Sequence, residues 1–459
     1  MPTDVPQLMA SALADAQKVR RDAIPVMHSH RILEPKKLVQ SPPGPCPQYL
    51  PPQIRRRRSI PSVEFHCPLL PLASSLAPFV LTLCVLLTSA NAQDWQKHSI
   101  DNRGRGADGV RLLDVNADGL FDIACGWEEA GETRAYLNPG PALVRTPWPS
   151  VTVGKSGPVE DAVFCDLDGD GAFDVISASE DQRIRVHWAP ADASRWLDAT
   201  SWTTETLPAA TGLQNWMFTI PTQLDGHHGP DLVAAGKGPE VVWFEAPADP
   251  RNLAAWKRHL ISSRGGWTMG MMLTELSGDD LPDLLLGIRR TNPGVRWFRN
   301  PGPGADLYLP WPETGVGVQG QAAGFVEVAD LDGDGLTDVV VPMMEQRTLQ
   351  IFRGLDRTGS RWQTTNLPLP TERNKGIAIG DINLDGQADL IVAHELGGAA
   401  WFSHSGNPHS TEWMRHPIGS GGKLDDVTLL DLDADGDLDV LTTDERGQQV
   451  IWFENPHQP

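Results

Sequence analysis

Acidic side chains recur at alternate positions of one short, glycine-containing segment, Asp330–Asp338 (DLDGDGLTD). Carboxylates occupy its positions 1, 3, 5 and 9, and Gly335 occupies position 6. Calcium takes roughly six to eight oxygen ligands at 2.3–2.6 Å, and position 7 of such a loop can add a backbone carbonyl. Oxygens at alternate positions of a tight loop, with a glycine to make the turn, suit this ion. The spacing therefore predicts a calcium-binding loop.

The nine-residue pattern is repeated along the chain. Four further copies match it well: Asp114–Asp122, Asp166–Asp174, Asp381–Asp389 and Asp431–Asp439. Two degraded copies are Gln223–Asp231 and Glu275–Asp283. The seven segments start 50 to 57 residues apart. A nearly constant period predicts an array of similar supersecondary units, and it overrides the two or three domains that 459 residues would otherwise allow.

Each repeat has the same internal order of four short runs. An apolar run such as Gly324–Ala329 enters the acidic loop, and a second, Asp338–Pro342, leaves it. A third run carries an aromatic and often a proline, as in Val295–Pro301, and the fourth begins with tryptophan, as in Trp256–Ile261. Four short strands with Gly and Pro turns describe one antiparallel sheet. The predicted fold is therefore all-β, a seven-bladed β-propeller of four-stranded antiparallel blades.

The two ends of the repeat array predict how the ring closes. The last repeat stops after its third run, at Phe453–Pro456, and an orphan fourth run, Trp95–Ile100, precedes the first acidic loop. We therefore expect the N-terminal strand of the mature chain to complete the last blade and close the ring. Closure of this kind leaves no free sheet edge.

The first 94 residues differ in composition from the rest, since all sixteen tryptophans lie at or after Trp95. Residues 1–58 are rich in proline and basic side chains without apolar periodicity, so we interpret them as a disordered extension or an over-extended gene start. Residues 59–92 contain the apolar run Phe79–Leu87 and the small-residue site Ala90-Asn-Ala92, as in a secretory signal peptide. We expect cleavage before Gln93, leaving residues 93–459 as a secreted or periplasmic propeller. An uncleaved membrane anchor is the alternative.

Charge and cysteine content restrict the class of protein. Lys and Arg number 38 against 59 Asp and Glu, a formal net charge of −21. Nucleic-acid recognition needs a basic surface, so no nucleic-acid partner is expected. Only Cys125 and Cys165 follow residue 93, which is not a disulfide framework. They are interpreted as buried free thiols, with a single bridge between neighbouring repeats as the alternative. We expect a monomer with no membrane span in the mature chain.

Acidic loops between the first two strands of propeller blades resemble the FG-GAP and VCBS repeats, which occur in integrin α-subunit heads and many secreted bacterial proteins. The resemblance covers residues 93–459 and implies calcium loops on one face of the propeller. The implied ligands are the side chains at positions 1, 3, 5 and 9 of the five well-matched loops: Asp114, Asn116, Asp118, Asp122, Asp166, Asp168, Asp170, Asp174, Asp330, Asp332, Asp334, Asp338, Asp381, Asn383, Asp385, Asp389, Asp431, Asp433, Asp435 and Asp439. The loop from Glu275 leaves a weak site open, and no calcium is expected at the loop from Gln223, which has lost charge at two ligand positions.

The resemblance does not fix a function, because such propellers serve in adhesion, in carbohydrate binding and in a few lyases and dehydratases. Loops on the face opposite the acidic loops carry charges and tryptophans that do not repeat, and loops of this kind are free to specialise. We predict that a ligand binds there, at the axial mouth, in contact with six side chains: Trp127, Glu128, Trp216, Trp267, Arg289 and His394.

Aromatic faces beside carboxylates and guanidinium groups suit sugars, which need an apolar platform and directional hydrogen bonds. The favoured function is a secreted calcium-binding interaction module for carbohydrate or protein ligands. The alternative is a carbohydrate lyase or dehydratase on the same face, for which His394 and Glu395 are the most suggestive local acid–base pair. Convergence of His394, Arg289 and Glu128 in one pocket at the axis would favour the enzyme.

Overall fold

A computed structural model of the protein describes residues 95–317 and 319–456. The predicted extension, signal peptide and cleavage site before Gln93 lie outside the described residues. Within them there is no α-helix, only five 3-10 segments: Ala193–Arg195, Ala199–Ser201, Pro208–Ala210, Leu253–Ala255 and Ala305–Tyr308. In this described part of the chain, no helix has the length and apolar character needed to cross a membrane.

Strands dominate the described residues and form seven four-stranded antiparallel sheets. The strands are β1 (Gln96–Asp101), β2 (Ala107–Leu113), β3 (Asp122–Trp127), β4 (Glu132–Tyr136), β5 (Ser150–Lys155), β6 (Val159–Cys165), β7 (Asp174–Ser179), β8 (Arg183–Trp188), β9 (Thr203–Thr206), β10 (Trp216–Thr222), β11 (Asp231–Gly236), β12 (Val241–Glu245), β13 (Lys257–Ser262), β14 (Trp267–Thr274), β15 (Asp283–Arg290), β16 (Gly294–Phe298), β17 (Glu313–Val316), β18 (Glu327–Ala329), β19 (Asp338–Met343), β20 (Thr348–Gly354), β21 (Trp362–Pro368), β22 (Asn374–Gly380), β23 (Asp389–His394), β24 (Gly398–His404), β25 (Trp413–Gly419), β26 (Leu424–Leu430), β27 (Asp439–Asp444) and β28 (Gln449–Glu454). We number the sheets blade 1 (β2–β5) to blade 6 (β22–β25) in chain order, and blade 7 contains β26, β27, β28 and β1. The predicted all-β, seven-bladed propeller is confirmed.

The hydrophobic core lies between the blades. A separate cluster of buried apolar side chains joins each pair of neighbouring blades, including blade 7 to blade 1. The second strand of each blade is therefore covered on both faces; all six residues of β3 and of β19 are buried. This explains why these runs are apolar without alternation. Cys125 and Cys165 are both buried in this core, in the clusters between blades 7 and 1 and between blades 2 and 3.

The N-terminal strand belongs to the last blade. β1 pairs with β28 in antiparallel register, with Gln96 opposite Glu454 and His98 opposite Trp452. Ile100 of β1 is fully buried in the cluster between blades 7 and 1. That the ring depends on this strand for its closure stays a prediction, which a deletion would test.

The first strand of each blade runs along the axis of the ring. First strands of neighbouring blades contact one another, as β2 does with β6 and with β26. Because each first strand ends at its acidic loop, its beginning lies on the opposite face. In six blades the pairing of the first strand shifts near this beginning, the mark of a β-bulge. The bulges shape the axial mouth, which we define as the axial opening on the face opposite the acidic loops.

Candidate metal loops and axial mouth

All seven loops, well matched or degraded, connect the first and second strands of a blade. Positions 4 and 6 have positive φ in every loop, for example +72° at Gly333 and +84° at Gly335. Side chains other than glycine adopt such angles at a cost. The degraded loops nevertheless place His228 (φ +57°) and Asp280 (φ +64°) at position 6. The backbone shape is therefore common to all seven loops, whether or not the loop has kept its charges.

The carboxylate at position 9 ties each loop to its blade. In blade 5, Asp338 accepts hydrogen bonds from the backbone N–H groups of Leu331 (3.1 Å) and Gly354 (2.9 Å). The bond from position 2 recurs in all seven loops, including that of blade 3, where Asp231 accepts from Leu224 at 2.9 Å. Burial outweighs these donors and raises the pKa of Asp338 to about 7. A cation beside the carboxylate would favour its ionised form.

The side chains at positions 1, 3 and 5 converge. In blade 5, Asp330 accepts from the backbone N–H groups of Asp334 and Gly335, both at 3.0 Å, and Asp334 accepts from that of Leu336 at 2.9 Å. One oxygen from each of Asp330, Asp332 and Asp334 lies within 4.8 Å of the others, as in the matching trio of blade 2. Two ligands on opposite sides of a calcium ion are about 4.6–5.2 Å apart. The spacing fits a hard divalent cation.

Several buried carboxylate oxygens in these loops receive no hydrogen bond from the protein. They are Oδ1 of Asp166 in blade 2, Oδ1 of Asp389 in blade 6 and both oxygens of Asp437 in blade 7. Asp437 is 1% exposed, and burial together with Asp435 and Asp439 raises its pKa to about 8. An unpaired buried carboxylate is costly, so these loops fit a bound cation. Asp437 stands at position 7, where the predicted ligand set had no side chain.

Arginines lie against four of the loops, an arrangement that the sequence analysis missed. Two come from the neighbouring blade: Arg251 lies 2.5 Å from Asp168 of blade 2, and Arg145 lies 2.5 Å from Asp433 of blade 7. In blade 4, Arg299 directly follows the third strand and pairs with Asp279 of the same blade at 3.1 Å. In blade 5, Arg353 is the penultimate residue of the third strand and pairs with Asp332 at 2.6 Å and Asp334 at 3.0 Å. Within the described residues, no such arginine pairs with the loops of blades 1 and 6. In these four loops the guanidinium group neutralises part of the negative charge of the carboxylates, which a bound cation would otherwise neutralise.

The loop of blade 3 is closed by an amide. Gln223 Nε2 donates to the carbonyl oxygens of His227 (2.8 Å) and Gly229 (2.7 Å), at positions 5 and 7. Its Oε1 accepts from the backbone N–H groups of Asp225 (3.1 Å) and Gly226 (2.8 Å). One neutral side chain therefore bonds to the position 7 carbonyl that would otherwise face an ion. This supports the prediction that blade 3 binds no calcium, which stays a prediction.

Side chains from blades that are not neighbours meet across the axis. The guanidinium of Arg111 in blade 1 lies 5.7 Å from the ring centroid of Phe218 in blade 3. Phe218 packs edge-on against Phe325 of blade 5 at 5.9 Å between centroids, and the ammonium of Lys375 in blade 6 lies 5.7 Å from the Phe325 ring. These contacts fill the middle of the axis and place a floor of side chains beneath the axial mouth.

Carboxylates crowd the side of the axial mouth formed by blades 7, 1 and 2. Oxygens within 4.8 Å of one another come from two overlapping groups: Asp108, Glu128 and Glu160, and Asp108, Asp425 and Glu445. Burial opposes ionisation of Asp425, but the Lys375 ammonium, 2.5 Å away, prevails and lowers the pKa of Asp425. Burial and the Asp425 carboxylate raise the pKa of Asp108 well above its usual value. Asp108 is thus favoured in its neutral form beside an ionised Asp425–Lys375 pair.

Cations gather at the mouth on the side of blades 3 and 4. Three of them surround the ring of Trp267: Lys237 at 4.5 Å, Arg289 at 4.9 Å and Arg290 at 5.0 Å from its centroid. Lys237 also pairs with Glu160 at 3.0 Å, which joins the two sides of the mouth. Nε of Arg289 is buried without a hydrogen-bond partner. The mouth therefore has an acidic side and a basic side.

Trp127 and Trp216 are not accessible to the ligand that was predicted to contact them, since both side chains are fully buried. Trp127 Nε1 donates to the hydroxyl of Tyr136 at 2.9 Å, and Trp216 Nε1 donates to the carbonyl of Ala210 at 2.9 Å. Both stand at strand ends, Trp127 closing β3 and Trp216 opening β10, where neighbouring segments cover them. The charged turns beside these tryptophans suggest exposure when only the sequence is considered. In the structure both rings point into the core between neighbouring blades.

The other four predicted ligand contacts lie in three settings. Glu128 belongs to the acidic side of the mouth, and Trp267 contacts Arg289 on the basic side. His394 is directed elsewhere, into a groove of about 760 Å³ between blades 6 and 7 that Trp95 and Arg415 also line. His394, Arg289 and Glu128 therefore do not converge, because successive residues of a strand face opposite sides and β23 aims His394 outward. Asp108 and Asp425 do converge, and both lie at the starts of first strands. Apart from their charge, no sequence pattern marked them as members of a site.

Comparison with known proteins bears on the repeats. Three stretches, residues 114–177, 275–341 and 381–442, match the model of the FG-GAP-like repeat. Each begins at position 1 of an acidic loop and ends within the second strand of the following blade. A search of curated proteins found no match. The chain is thus a seven-bladed β-propeller with FG-GAP-like repeats, a fold that suggests an interaction module.

Proposed function

We propose that this protein is a secreted, calcium-stabilised protein-interaction module. Calcium binds in the loops of blades 1, 2, 5, 6 and 7, and a partner protein docks over the axial mouth on the opposite face. We assign different roles to the two faces because the side chains of one face repeat from blade to blade and those of the other do not. The acidic loops share one backbone shape and serve the scaffold, whereas the charges at the mouth differ from blade to blade.

The calcium part of the proposal is supported by the buried oxygens of Asp166, Asp389 and Asp437 that receive no hydrogen bond. Bound calcium would supply the missing positive charge and hold the carboxylates at positions 1, 3 and 5 in one conformation. The protein's own contribution is the tight loop, which the position 9 carboxylate anchors to the blade. Calcium is abundant outside cells, which agrees with export.

The observation that carries the interaction proposal is the separation of charge across the axial mouth. Acids of blades 7, 1 and 2 face one side, and Arg289, Arg290 and Lys237 surround Trp267 on the other. A floor of side chains lies beneath, so a partner meets a closed surface. Complementary charge of this kind steers association and fixes orientation. We expect a partner whose surface places basic groups over the acidic side and acidic groups over the basic side.

A protein partner is favoured over a carbohydrate because the aromatic platform is not accessible. Trp127 and Trp216 are fully buried, and three cations surround the Trp267 ring. Sugars stack on open aromatic faces, whereas a charged protein surface needs only complementary charge. Binding to a glycan would therefore contradict this part of the proposal.

The test compares the mature propeller with two variants of equal net charge. Reversing charge at the mouth with Glu128→Lys and Glu445→Lys should abolish capture of the partner from a secreted protein fraction. The control, Asp306→Lys with Glu412→Lys, changes exposed acids away from the mouth and should retain capture. A partner retained by the mouth variant, or a ligand found only on a glycan array, would overturn the docking site.

One observation favours a second function, acid–base catalysis as in a carbohydrate lyase or dehydratase. Burial and Asp425 raise the pKa of Asp108, and the Lys375 ammonium lowers that of Asp425; environments that separate two carboxyl pKa values are typical of acid–base pairs. Both side chains are buried, at 6% and 0% exposure, so substrate access would require the mouth to open. Polysaccharide incubation followed by absorbance measurement of new double bonds tests this function, with Asp108→Asn as the inactive control.

A further inference from the structure

A histidine of blade 6 is directed into the acidic loop of blade 5. His409 lies in the connection between β24 and β25, and its side chain is 8% exposed. Its Nε2 lies 3.3 Å from Oδ2 of Asp332 and 3.5 Å from Oδ2 of Asp338. Thr365 of blade 5 donates its hydroxyl to the His409 carbonyl at 2.8 Å, which holds the histidine over the loop. The three side chains offer one ligand atom each within 4.8 Å of one another.

Neither ring nitrogen of His409 makes a normal hydrogen bond, although the ring is more than nine-tenths buried. Two other histidines that meet a carboxylate and are largely buried make short bonds, His98 to Glu454 at 2.7 Å and His259 to Glu245 at 2.8 Å. The exposed His227 lies 3.6 Å from Asp225. A separation of 3.3–3.5 Å is longer than the usual N–H···O range of about 2.7–3.2 Å. The ring therefore faces the two aspartates at ion-pair distance, without a well-formed hydrogen bond to either.

The distances from the imidazole to the two carboxylates match the ligand spacing around a small tetrahedral ion. Zinc binds imidazole nitrogen and carboxylate oxygen at about 2.0–2.2 Å, and tetrahedral ligands at that length are about 3.3–3.6 Å apart. The observed separations of His409 from Asp332 and Asp338 fall in this range. Calcium takes oxygen ligands, whereas imidazole suits zinc, copper and nickel. The presence of a buried imidazole therefore sets this loop apart from a plain calcium loop.

We propose that the loop of blade 5 binds a divalent transition-metal ion of the zinc class through His409, Asp332 and Asp338, with water completing the site. The ion links blade 5 to blade 6, because the histidine and the aspartates come from different blades. Arg353 lies 2.6 Å from the same oxygen of Asp332 and competes with the ion. The site shares two carboxylates with the proposed calcium set of blade 5, so the two ions compete there, and calcium occupies this loop when no zinc-class ion is supplied. The site depends neither on calcium in the other loops nor on the axial mouth.

The experiment titrates cobalt(II), a coloured probe for zinc sites, into the metal-free mature propeller. His227 and His228 form an exposed pair that could bind metal loosely, so all proteins carry His227→Asn and His228→Asn. One equivalent of cobalt should produce the intense visible bands of tetrahedral coordination, and zinc should abolish them. His409→Asn should weaken cobalt binding at least about tenfold, whereas Arg353→Gln should strengthen it.

His416→Asn is the matched control, since this histidine also lies in blade 6 but stacks on Trp401, away from any acidic loop. It should leave the cobalt bands unchanged. Absence of tetrahedral bands in the protein with His409 intact overturns the proposal without reference to any variant. Unchanged affinity in a folded His409→Asn protein overturns it as well. Calcium affinity of the other four well-matched loops, measured separately, reports on the proposed function and not on this site.

Discussion

The loops of blades 3 and 5 have the same backbone shape and different chemistry. Both bend through positive φ at positions 4 and 6, and both anchor a buried position 9 aspartate to the backbone of position 2. In blade 5, positions 1, 3 and 5 are carboxylates, whereas in blade 3 Gln223 bonds to the backbone carbonyls at positions 5 and 7. Shape and metal binding are therefore separable, since the turn and the anchor build the loop and the remaining side chains decide what fills it.

Removing calcium should have the largest effect on stability, because it tests all five charged loops at once. A ligand at about 100 times its dissociation constant stabilises by about 2.7 kcal/mol per site, so five sites together rival the stability of a typical domain. We expect the melting temperature of the mature propeller to fall by many degrees in excess chelator. Identical melting curves in calcium and in chelator would contradict this prediction. They would show that the acidic loops, including that of blade 5, need no bound ion for stability, as is expected for blade 3.

Deleting residues 93–101 should have the next largest effect and would separate ring closure from metal binding. The deletion removes β1, exposes the edge of β28 and uncovers the core around Ile100. An exposed edge of this kind promotes aggregation. Gel filtration of the truncated protein should show self-association. Calorimetry should show a lower melting temperature than that of the mature propeller, even when calcium is present. A monomeric, fully stable truncated protein would show that closure does not need this strand.

Acidity should stabilise the calcium-free protein. Burial raises the pKa of Asp231 to about 7 and of Asp338 to about 7, compared with about 3.9 in an unfolded chain. Between these values the folded state binds more protons than the unfolded state, so stability decreases as pH rises. In chelator, the melting temperature should therefore be higher at pH 5 than at pH 8. Asp231→Asn should reduce this slope, and calcium should oppose it only in loops that bind the ion.

A pair of alanine substitutions compares the two loops directly. Asp334→Ala in blade 5 and Asp225→Ala in blade 3 each remove a carboxylate that accepts a backbone N–H two residues ahead, at 2.9 and 2.7 Å. In chelator, both should destabilise by about 1 kcal/mol. In calcium, only Asp334→Ala should cost a further 2–3 kcal/mol or so, the contribution of one site. Equal losses in calcium would remove the distinction between the loops.

Much of the fold followed from the sequence because it depends on repetition. The seven loops, the four strands of each blade and the pairing partner of Trp95–Ile100 are all fixed by local pattern and register. The parts that did not follow depend on contacts between blades. Arg251 and His409 reach loops of neighbouring blades, and no local pattern marks such a contact.

The predicted ligand face shows the same limit. The position of Glu128 at the axial mouth followed from topology, but the burial of Trp127 and Trp216 and the outward direction of His394 did not. Whether a tryptophan beside a turn faces solvent depends on the neighbouring blade and on which side of the strand it occupies. The acid cluster around Asp108 likewise forms only when three blades are assembled.

Calcium content is the most direct test of the central claim that side chains at positions 1, 3 and 5 decide metal binding in a loop of fixed shape. The mature propeller, equilibrated with calcium and freed of excess ion, should retain about five calcium ions per chain. Gln223→Asp with His227→Asp restores the missing carboxylates of blade 3 and should raise the content by one. When calcium is absent this variant should be less stable than the wild type, because a carboxylate cannot donate to the carbonyls at positions 5 and 7 as Gln223 does. Elemental analysis gives both values. A wild-type protein without calcium, or a variant that gains none, would contradict the account.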